Sequence, residues 1–183
     1  MKNYMVVYYL VLVFYGLTAA SPRAKAEETE MKVGQMAPDF SLPDQSGEPR
    51  ALADYRQRWV VLYFYPKDDT PGCTKEACQF RDNFLAIRNL GAEILGVSVD
   101  SQESHAKFAG KYKLPFPLLA DTDGRVAKQY GALWSLAFFH IARRHTFIVD
   151  PHGRIAKIYR EVEPEAHSRE VIEDLKALQR SRS

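Results

Sequence analysis

The only two cysteines of the chain, Cys73 and Cys78, lie five positions apart in the stretch YPKDDTPGCTKEACQF. Cys73 directly follows a Thr-Pro-Gly turn. After it, apolar residues such as Ala77 and Phe80 recur at spacings of three and four, which predicts a helix that begins at Cys73. A thiol at the start of a helix is favoured as a thiolate, because the backbone N–H groups there stabilise negative charge. The pattern therefore indicates nucleophilic thiol chemistry.

A permanent disulfide between these cysteines is disfavoured by helix geometry. At ~1.5 Å rise and ~100° per residue, helical positions five apart have Cα atoms about 8–9 Å from each other. A disulfide requires roughly 4.4–6.8 Å between Cα atoms. The helix must therefore unwind locally before such a bond can close, which suits a redox switch better than a structural staple. A pair of inert buried thiols is the further structural alternative.

Metal binding and dithiol exchange are weaker alternatives for the pair. The five histidines are scattered along the chain and none forms a familiar ligand spacing with the cysteines, so no metal site is predicted. The cysteine spacing is C-x-x-x-x-C rather than the C-x-x-C of thiol–disulfide oxidoreductases. No other cofactor is predicted.

Ionisation alone does not make a cysteine a fast enzyme nucleophile. Raising a free thiol from a few per cent to full thiolate gains only about thirtyfold, so the site must also align the substrate and stabilise developing charge. Thr70 can turn its hydroxyl toward Cys73, and the Cys73 N–H is an unpaired donor at the helix start. Pro66 and Pro71 stiffen the loop. A cation must come from elsewhere in the chain.

Alternating strand and helix patterns indicate the fold that positions these residues. WVVLYFY, starting at Trp59, is continuously apolar, as in a strand covered on both faces. Further strands are predicted at AEILGVSVD and FPLLAD, a hairpin at HTFIVD and RIAKIYRE, and helices from Ser101, at GRVAKQYG and at SREVIEDLKALQR. The first helix is expected to run to Gly91. The order predicts an α/β, thioredoxin-like fold with a mixed central sheet flanked by helices and an N-terminal β extension.

Pro66-x-x-x-Thr70-x-x-Cys73 matches the P-x-x-x-T-x-x-C motif of peroxiredoxins. The longer FYPKDDTPGCTKEAC resembles the Q-type peroxiredoxins, also called bacterioferritin-comigratory proteins, of the alkyl hydroperoxide reductase/thiol-specific antioxidant family. APDFSLPDQSGE, GVSVDS and RRHTFIVDPHGRI extend the resemblance from about Met31 to the C-terminal helix. The resemblance implies that Cys73 is the peroxidatic cysteine and that Cys78 is the resolving cysteine, joined to it in an intramolecular disulfide.

The same resemblance implies the remaining site residues and partners. The missing cation is expected at Arg144 rather than Arg143, and Glu76 is expected to orient Arg144 or the first helical turn. Hydrogen peroxide and organic hydroperoxides are the expected substrates, and thioredoxin or a thioredoxin-like dithiol protein is the expected reductant. The chain is expected to act as a monomer or weak dimer. A Sco-type copper chaperone is the alternative from another functional class, although such proteins carry C-x-x-x-C.

Length and composition are those of one soluble domain after a targeting segment. A net charge of +2, spread over the chain, gives no basic face for nucleic acid. Residues 1–26 contain an uncharged apolar run, Tyr4 to Ala20, followed by small-x-small cleavage patterns. We therefore expect a signal peptide or a membrane anchor, and export to the periplasm. The peroxiredoxin-like domain is expected at residues 31–183.

One apolar stretch departs from the family pattern. ALWSLAFFHIAR, residues 132–143, precedes Arg144 and looks like an inserted loop. The favoured interpretation is a small local core. The alternatives are a contact surface for a partner or second subunit, and an apolar rim that favours organic hydroperoxides.

Overall fold

The computed structural model describes residues 30–136 and 139–181. Its centre is a five-stranded mixed sheet with strand order β5-β4-β3-β8-β9. These strands are β3 (Trp59–Phe64), β4 (Ala92–Ser98), β5 (Leu118–Ala120), β8 (His145–Val149) and β9 (Ile155–Tyr159). β3 pairs in parallel with β4 and antiparallel with β8, so it is the central strand. The α/β, thioredoxin-like fold class predicted from the sequence is confirmed.

The continuous apolar character of β3 follows from burial on both faces of the sheet. Val60, Leu62 and Phe64 belong to one hydrophobic cluster. The alternate residues, including Val61 and Tyr63, belong to a second cluster on the opposite face. Successive strand side chains point to opposite faces, so a strand covered by two layers needs apolar residues at every position.

Among the described residues, five α-helices, a 3-10 turn (Leu52–Tyr55) and two small hairpins surround the sheet. The helices are α1 (Pro71–Asp82), α2 (Phe84–Asn89), α3 (Gln102–Tyr112), α4 (Arg125–Gln129) and α5 (His167–Arg180), and the hairpins pair β1 (Ser41–Pro43) with β2 (Pro49–Ala51) and β6 (Leu133–Leu136) with β7 (Phe139–Ala142). The β1–β2 pair is the predicted N-terminal extension. The Ser101 side chain accepts a hydrogen bond from the Ser104 N–H, as expected for the N-cap of α3.

The first helix differs from its prediction at both ends. It begins at Pro71 rather than Cys73, because Thr70 is the extended N-cap residue and proline suits the first helical position. It ends at Asp82, and a separate helix, α2, follows. At the break, the Asn83 side chain donates to the Gln79 carbonyl and to the Ser168 hydroxyl, so the local bonding competes with continuation of the helix.

The apolar stretch before Arg144 is not a local core. Four of its large side chains are exposed, led by Phe139 at 77% and Leu136 at 63%, with Trp134 and Ile141 near 40%. The stretch instead forms the β6–β7 hairpin, which pairs with itself and not with the central sheet. The interpretation as a satellite core is therefore wrong: a two-stranded ribbon has too few layers to cover its own side chains.

The predicted targeting segment, residues 1–26, lies outside the described residues. Within the described part of the chain, no helix is both long and apolar enough to cross a membrane.

Candidate active site

Cys73 lies in the first turn of α1, directly after the loop that leaves β3. Thr70 is the N-cap residue and Pro71 and Gly72 are the first two helical residues, so Cys73 is the third. The first backbone N–H groups of a helix have no acceptor within the helix, and they surround the Cys73 side chain with partial positive charge. The thiol is buried, with 1% of the residue exposed.

Arg144 reaches this thiol from the opposite strand. Its Nη2 donates to Cys73 Sγ at 3.3 Å. The approach follows from the register of the sheet: β8 pairs His145 with Phe64, so the residue before β8 lies beside the end of β3 that feeds α1. Gly72 makes room for the guanidinium, because a Cβ there would lie 3.2 Å from Nη2. Arg143, by contrast, is exposed.

Glu76 is the second partner of Arg144. Its Oε2 accepts from Arg144 Nη1, and the carboxylate is fully buried. Burial raises the pKa of Glu76 to about 7, although the Arg144 charge and hydrogen bond oppose that rise. Burial lowers the pKa of Arg144, but the Glu76 carboxylate and the Cys73 sulfur outweigh it and hold that pKa above its usual range. Arg144 thus carries a full charge and links the two acidic groups of the site.

Thr70 and Pro66 shape the loop rather than touch the sulfur. The Thr70 hydroxyl donates to the Lys67 carbonyl at 3.0 Å, and the Thr70 carbonyl accepts the N–H of Thr74 at 2.8 Å. Both Pro66 and Thr70 are half-buried. The structure therefore brings Arg144 and Glu76 to Cys73, and places the Thr70 hydroxyl at the rim of the loop with its proton donated to the loop itself.

Cys78 is half-buried on the same unbroken helix, and both cysteines are free thiols. Two turns after Cys73, the packing of α1 becomes apolar. The centre of the Phe80 ring lies 4.9 Å from that of Tyr63 and 5.6 Å from that of the His167 imidazole. The two thiols thus stand in different surroundings, one beside a cation and one near the half of the helix held by rings.

Reasoning from sequence missed two buried polar residues next to this loop. Asp68, in the loop itself, contacts His105 of α3 through a 2.8 Å contact between the carboxylate and the imidazole. His105 was counted among five scattered histidines, and its helical position gave no sign of a partner. The only available signal was the pair of acidic residues, Asp68 and Asp69, inside the motif that precedes Cys73.

A cavity of about 500 Å³ lies against the exposed hairpin, and Trp134, Phe139, His140 and Arg143 are among its lining residues. Cys73 does not line it. Within residues 30–136 and 139–181, no group of three or more His, Cys, Asp or Glu side chains could hold a metal ion.

Comparison with known proteins agrees with this geometry. Residues 33–158 match the model of the AhpC/TSA family. The chain is 47% identical to the chloroplastic peroxiredoxin Q of Arabidopsis thaliana over 145 residues, which is 79% of this chain and 67% of that protein. The crystal structure of peroxidoxin BcpB from Mycobacterium tuberculosis superposes with a TM-score of 0.77 at 38% identity, covering 81% of this chain and 98% of the other.

A structure concerned with the alkyl peroxide reduction activity of the Xanthomonas campestris bacterioferritin comigratory protein is similar at a TM-score of 0.71 and 33% identity, covering 75% of this chain and 90% of the other. The family match over residues 33–158 includes the loop after β3 and the helix that carries both cysteines. On this evidence the chain belongs to the AhpC/TSA family and, within it, to the peroxiredoxin Q/Bcp group of thiol peroxidases.

Proposed function

We propose that Cys73 is the peroxidatic cysteine and Cys78 the resolving cysteine of this thiol peroxidase. The observation that carries the assignment is the 3.3 Å contact between Arg144 Nη2 and Cys73 Sγ. A guanidinium at that distance stabilises a thiolate and can also bind the oxygen that the thiolate attacks. Cys78 lies more than one turn further along the same helix.

The chemistry proceeds in two displacements. The Cys73 thiolate attacks one peroxide oxygen in line with the O–O bond, which breaks as the S–O bond forms. The second oxygen leaves as hydroxide or alkoxide and takes up a proton, and Cys73 becomes a sulfenic acid. The Cys78 thiolate then attacks the Cys73 sulfur, the sulfenic oxygen leaves as water after protonation, and an intramolecular disulfide closes.

Arg144 and the first turn of α1 supply the charge stabilisation. The guanidinium and the Cys73 N–H act as donors to the peroxide oxygens as negative charge moves from sulfur to the leaving oxygen. Glu76 fixes the Arg144 side chain by accepting from Nη1, which leaves Nη2 toward the sulfur. Pro66 and Thr70 hold the loop, and the Thr70 oxygen retains lone pairs that can accept from a hydroperoxide proton.

Formation of the disulfide requires α1 to open. Both thiols lie in one continuous helix from Pro71 to Asp82, and helical positions five apart are about 8–9 Å from Cα to Cα. A disulfide needs roughly 4.4–6.8 Å. We therefore place a local unwinding of the first turns of α1 between the sulfenic acid and the disulfide.

The reductant and location are part of the proposal. An external dithiol must reduce the disulfide, and a thioredoxin or thioredoxin-like protein has the required chemistry. Because both thiols lie in one chain, the cycle needs no second subunit, which supports a monomer or weak dimer. The apolar run in residues 1–26 supports export, with the domain starting at residue 31; the reductant would then be a dithiol protein of the same compartment.

Hydrogen peroxide and organic hydroperoxides are the proposed substrates. The Xanthomonas campestris relative, described for alkyl peroxide reduction, supports the organic class. The exposed apolar hairpin also supports it, because β7 ends at Ala142, two residues before Arg144. The exposed side chains of Trp134 and Phe139 would then offer apolar contacts to the alkyl group of a bound hydroperoxide where it extends out of the site.

The proposal is tested by peroxide consumption of the full chain with several dithiol reductants. Hydrogen peroxide and cumene hydroperoxide should both be consumed, with one disulfide between Cys73 and Cys78 found by mass spectrometry when the reductant is withheld. A disulfide between two chains, or an unmodified Cys73 after peroxide treatment, would contradict the assignment.

A further inference from the structure

A buried contact between a carboxylate and an imidazole joins the loop before Cys73 to helix α3. Asp68 lies between β3 and α1, and His105 lies in α3. The His105 Nδ1 is 2.8 Å from Asp68 Oδ2, and its Nε2 is 3.1 Å from the Leu119 carbonyl oxygen. The imidazole is fully buried and the Asp68 side chain is 4% exposed. The mechanism above uses neither residue.

The His105 ring has oxygen partners at both nitrogens. Asp68 Oδ2 lies 2.8 Å and Tyr65 Oη lies 3.3 Å from Nδ1, and the Leu119 carbonyl oxygen lies 3.1 Å from Nε2. The ring is therefore held on both sides, and its contact with Asp68 is shielded from water.

The Asp68 carboxylate is also held by two hydroxyl groups. Tyr65 Oη donates to Oδ1 at 2.7 Å and Ser104 Oγ donates to Oδ2 at 2.7 Å. The Asp68 backbone N–H donates to Asp100 Oδ2 at 2.9 Å. Through its side chain and main chain, Asp68 thus bonds the loop to Tyr65 directly after β3, to Asp100 beyond the end of β4, and to α3.

Asp69, the next residue, has an unfavourable backbone conformation and also contacts α3. Asp69 has φ of 57°, the left-handed region that non-glycine residues rarely occupy. Its carboxylate binds Lys111 Nζ at 2.7 Å and accepts from Tyr112 Oη at 2.6 Å, both on α3. Such a conformation persists where surrounding contacts over-determine it. Thr70, the N-cap of the helix that carries Cys73, follows directly.

We propose that Asp68 and His105 form a latch whose task is to position the loop from Pro66 to Thr70, and with it the start of α1, for attack by Cys73 on peroxide. Both are positioning residues, since neither touches the sulfur. The latch lies outside the helix that opens, so it stays closed in the reduced enzyme and in the disulfide form. This inference rests on the proposed function of Cys73.

The test measures the rate of attack separately from stability. In a Cys78→Ser background, formation of the Cys73 sulfenic acid is followed by rapid quench with a sulfenic-acid trap and mass spectrometry, alongside urea unfolding. Asp68→Asn and His105→Gln should each slow attack by about tenfold to a hundredfold, because misplacement by about 1 Å costs on the order of 10²-fold.

The matched control is Asp121→Asn. Asp121 is also a fully buried carboxylate, but it accepts from the Val126 and Ala127 N–H groups at the start of α4, away from the loop. It should lose stability and keep the parental attack rate. The double variant Asp68→Asn/His105→Gln should be no slower than the slower single variant, because both changes open one contact.

The outcomes separate the latch from the proposed function. If the Cys78→Ser parent forms no sulfenic acid on Cys73, the proposed function fails. If the parent reacts and both latch variants, still folded, keep its rate, the latch is overturned, as it is if Asp121→Asn slows attack equally. Should Asp68→Asn not fold, His105→Gln decides alone, since it leaves the carboxylate its two hydroxyl donors and the Asp100 contact.

Discussion

The first two turns of α1 contact Arg144 and the β6–β7 hairpin precedes it in the chain, yet the two regions differ in burial and in charge. In the first two turns of α1, Cys73 and Glu76 are buried and both contact Arg144. In the hairpin, Phe139 and Leu136 are mostly exposed, and the chain then passes through exposed Arg143. The start of α1 is held by the contacts of Arg144 with Glu76 and Cys73. The hairpin is held by the pairing of two short strands.

The difference shows that apolar residues in a sequence are not always buried, whereas a buried charged group requires an oppositely charged partner close to it. Burying Glu76 without a cation would be costly, so Arg144 must approach it closely. Nothing comparable directs the exposed side chains of the hairpin, which belong to neither of the two clusters that cover the central sheet; these are Trp134, Leu136, Phe139 and Ile141. Substitutions at Cys73, Cys78 and Arg144 should therefore have large effects on activity. Substitutions of exposed residues in the hairpin should have small effects on stability.

The largest effect is expected at the cysteines. Cys73→Ser should abolish peroxide turnover, because the hydroxyl that replaces the thiol is not ionised near neutral pH. Cys78→Ser should still reduce one equivalent of peroxide and stop there. Mass spectrometry after one equivalent of peroxide should find the sulfenic acid or its further oxidation products on Cys73 in the Cys78→Ser protein. Modification first at Cys78 in the wild-type chain would reverse the two roles.

The next largest effect separates the two arginines. Arg144→Met should slow peroxide attack by ~10²–10³, the loss seen when one charge-stabilising donor is removed from an active site. Arg143→Met is the matched control, with the same change one residue away at an exposed position, and should alter the rate little. The measurement is the second-order rate constant for peroxide. Equal and small effects of both changes would mean that another group supplies the cation.

Formation of the Cys73–Cys78 disulfide should open the first turns of α1 and leave the β6–β7 hairpin unchanged. Unwinding the first turns of α1 gives up several helical hydrogen bonds of ~0.5–1.5 kcal/mol net each. Amide hydrogen exchange between Thr70 and Gln79 should therefore be faster in the disulfide form, while the apolar contacts of Phe80 limit the opening at the far end. The β6–β7 amides are the internal control. Equal protection of α1 in both states, with the disulfide intact, is the result that excludes unwinding.

The buried carboxylate of Glu76 should also make the free energy of unfolding depend on pH. The pKa of Glu76 is raised by burial from 4.5 to about 7, so the folded state binds this proton more tightly than the unfolded state. The resulting stability is fully present below about pH 4.5 and is lost as the pH rises through about 7. Over that window the wild-type chain should lose up to about 3 kcal/mol relative to Glu76→Gln.

Urea unfolding at several pH values measures this difference. Exposed Glu103, which pairs with Lys107 on the surface of α3, provides the control, and Glu103→Gln should follow the wild-type curve. Parallel pH curves for wild type and Glu76→Gln would show that the Arg144 charge keeps Glu76 ionised across the whole range.

The smallest effect is expected in the hairpin. Phe139→Ser and Leu136→Ser should each change the free energy of unfolding by less than about 0.5 kcal/mol, because both side chains are exposed. Leu119→Ala, a change to a fully buried leucine of β5, should cost about 2–5 kcal/mol and serves as the reference. A loss near that of Leu119→Ala from Phe139→Ser would restore the interpretation of this segment as a local core.

The sequence by itself determined the fold class and most elements of this protein. Periodicity located β3, β4, α3 and α5, because a strand covered on both faces and a helix covered on one face require distinct apolar spacings. The position of Cys73 after a turn and at the start of a helix indicated nucleophilic thiol chemistry, whereas the roles proposed for Cys73 and Cys78 came from the family resemblance. The expected cation, Arg144, does contact Cys73, although that expectation came from the family resemblance rather than from spacing.

Only the tertiary structure decided which distant residues meet. Helix α1 starts two residues earlier than expected and breaks at Asn83, where a side chain bonds to Ser168 of α5. The hairpin lies on the surface, because its short strands pair with each other instead of joining the sheet. Asp68 and His105 lie 37 positions apart in the chain, and no local pattern couples them. Their contact exists because β3, α3 and β5 converge on one point, which is a property of packing rather than of spacing.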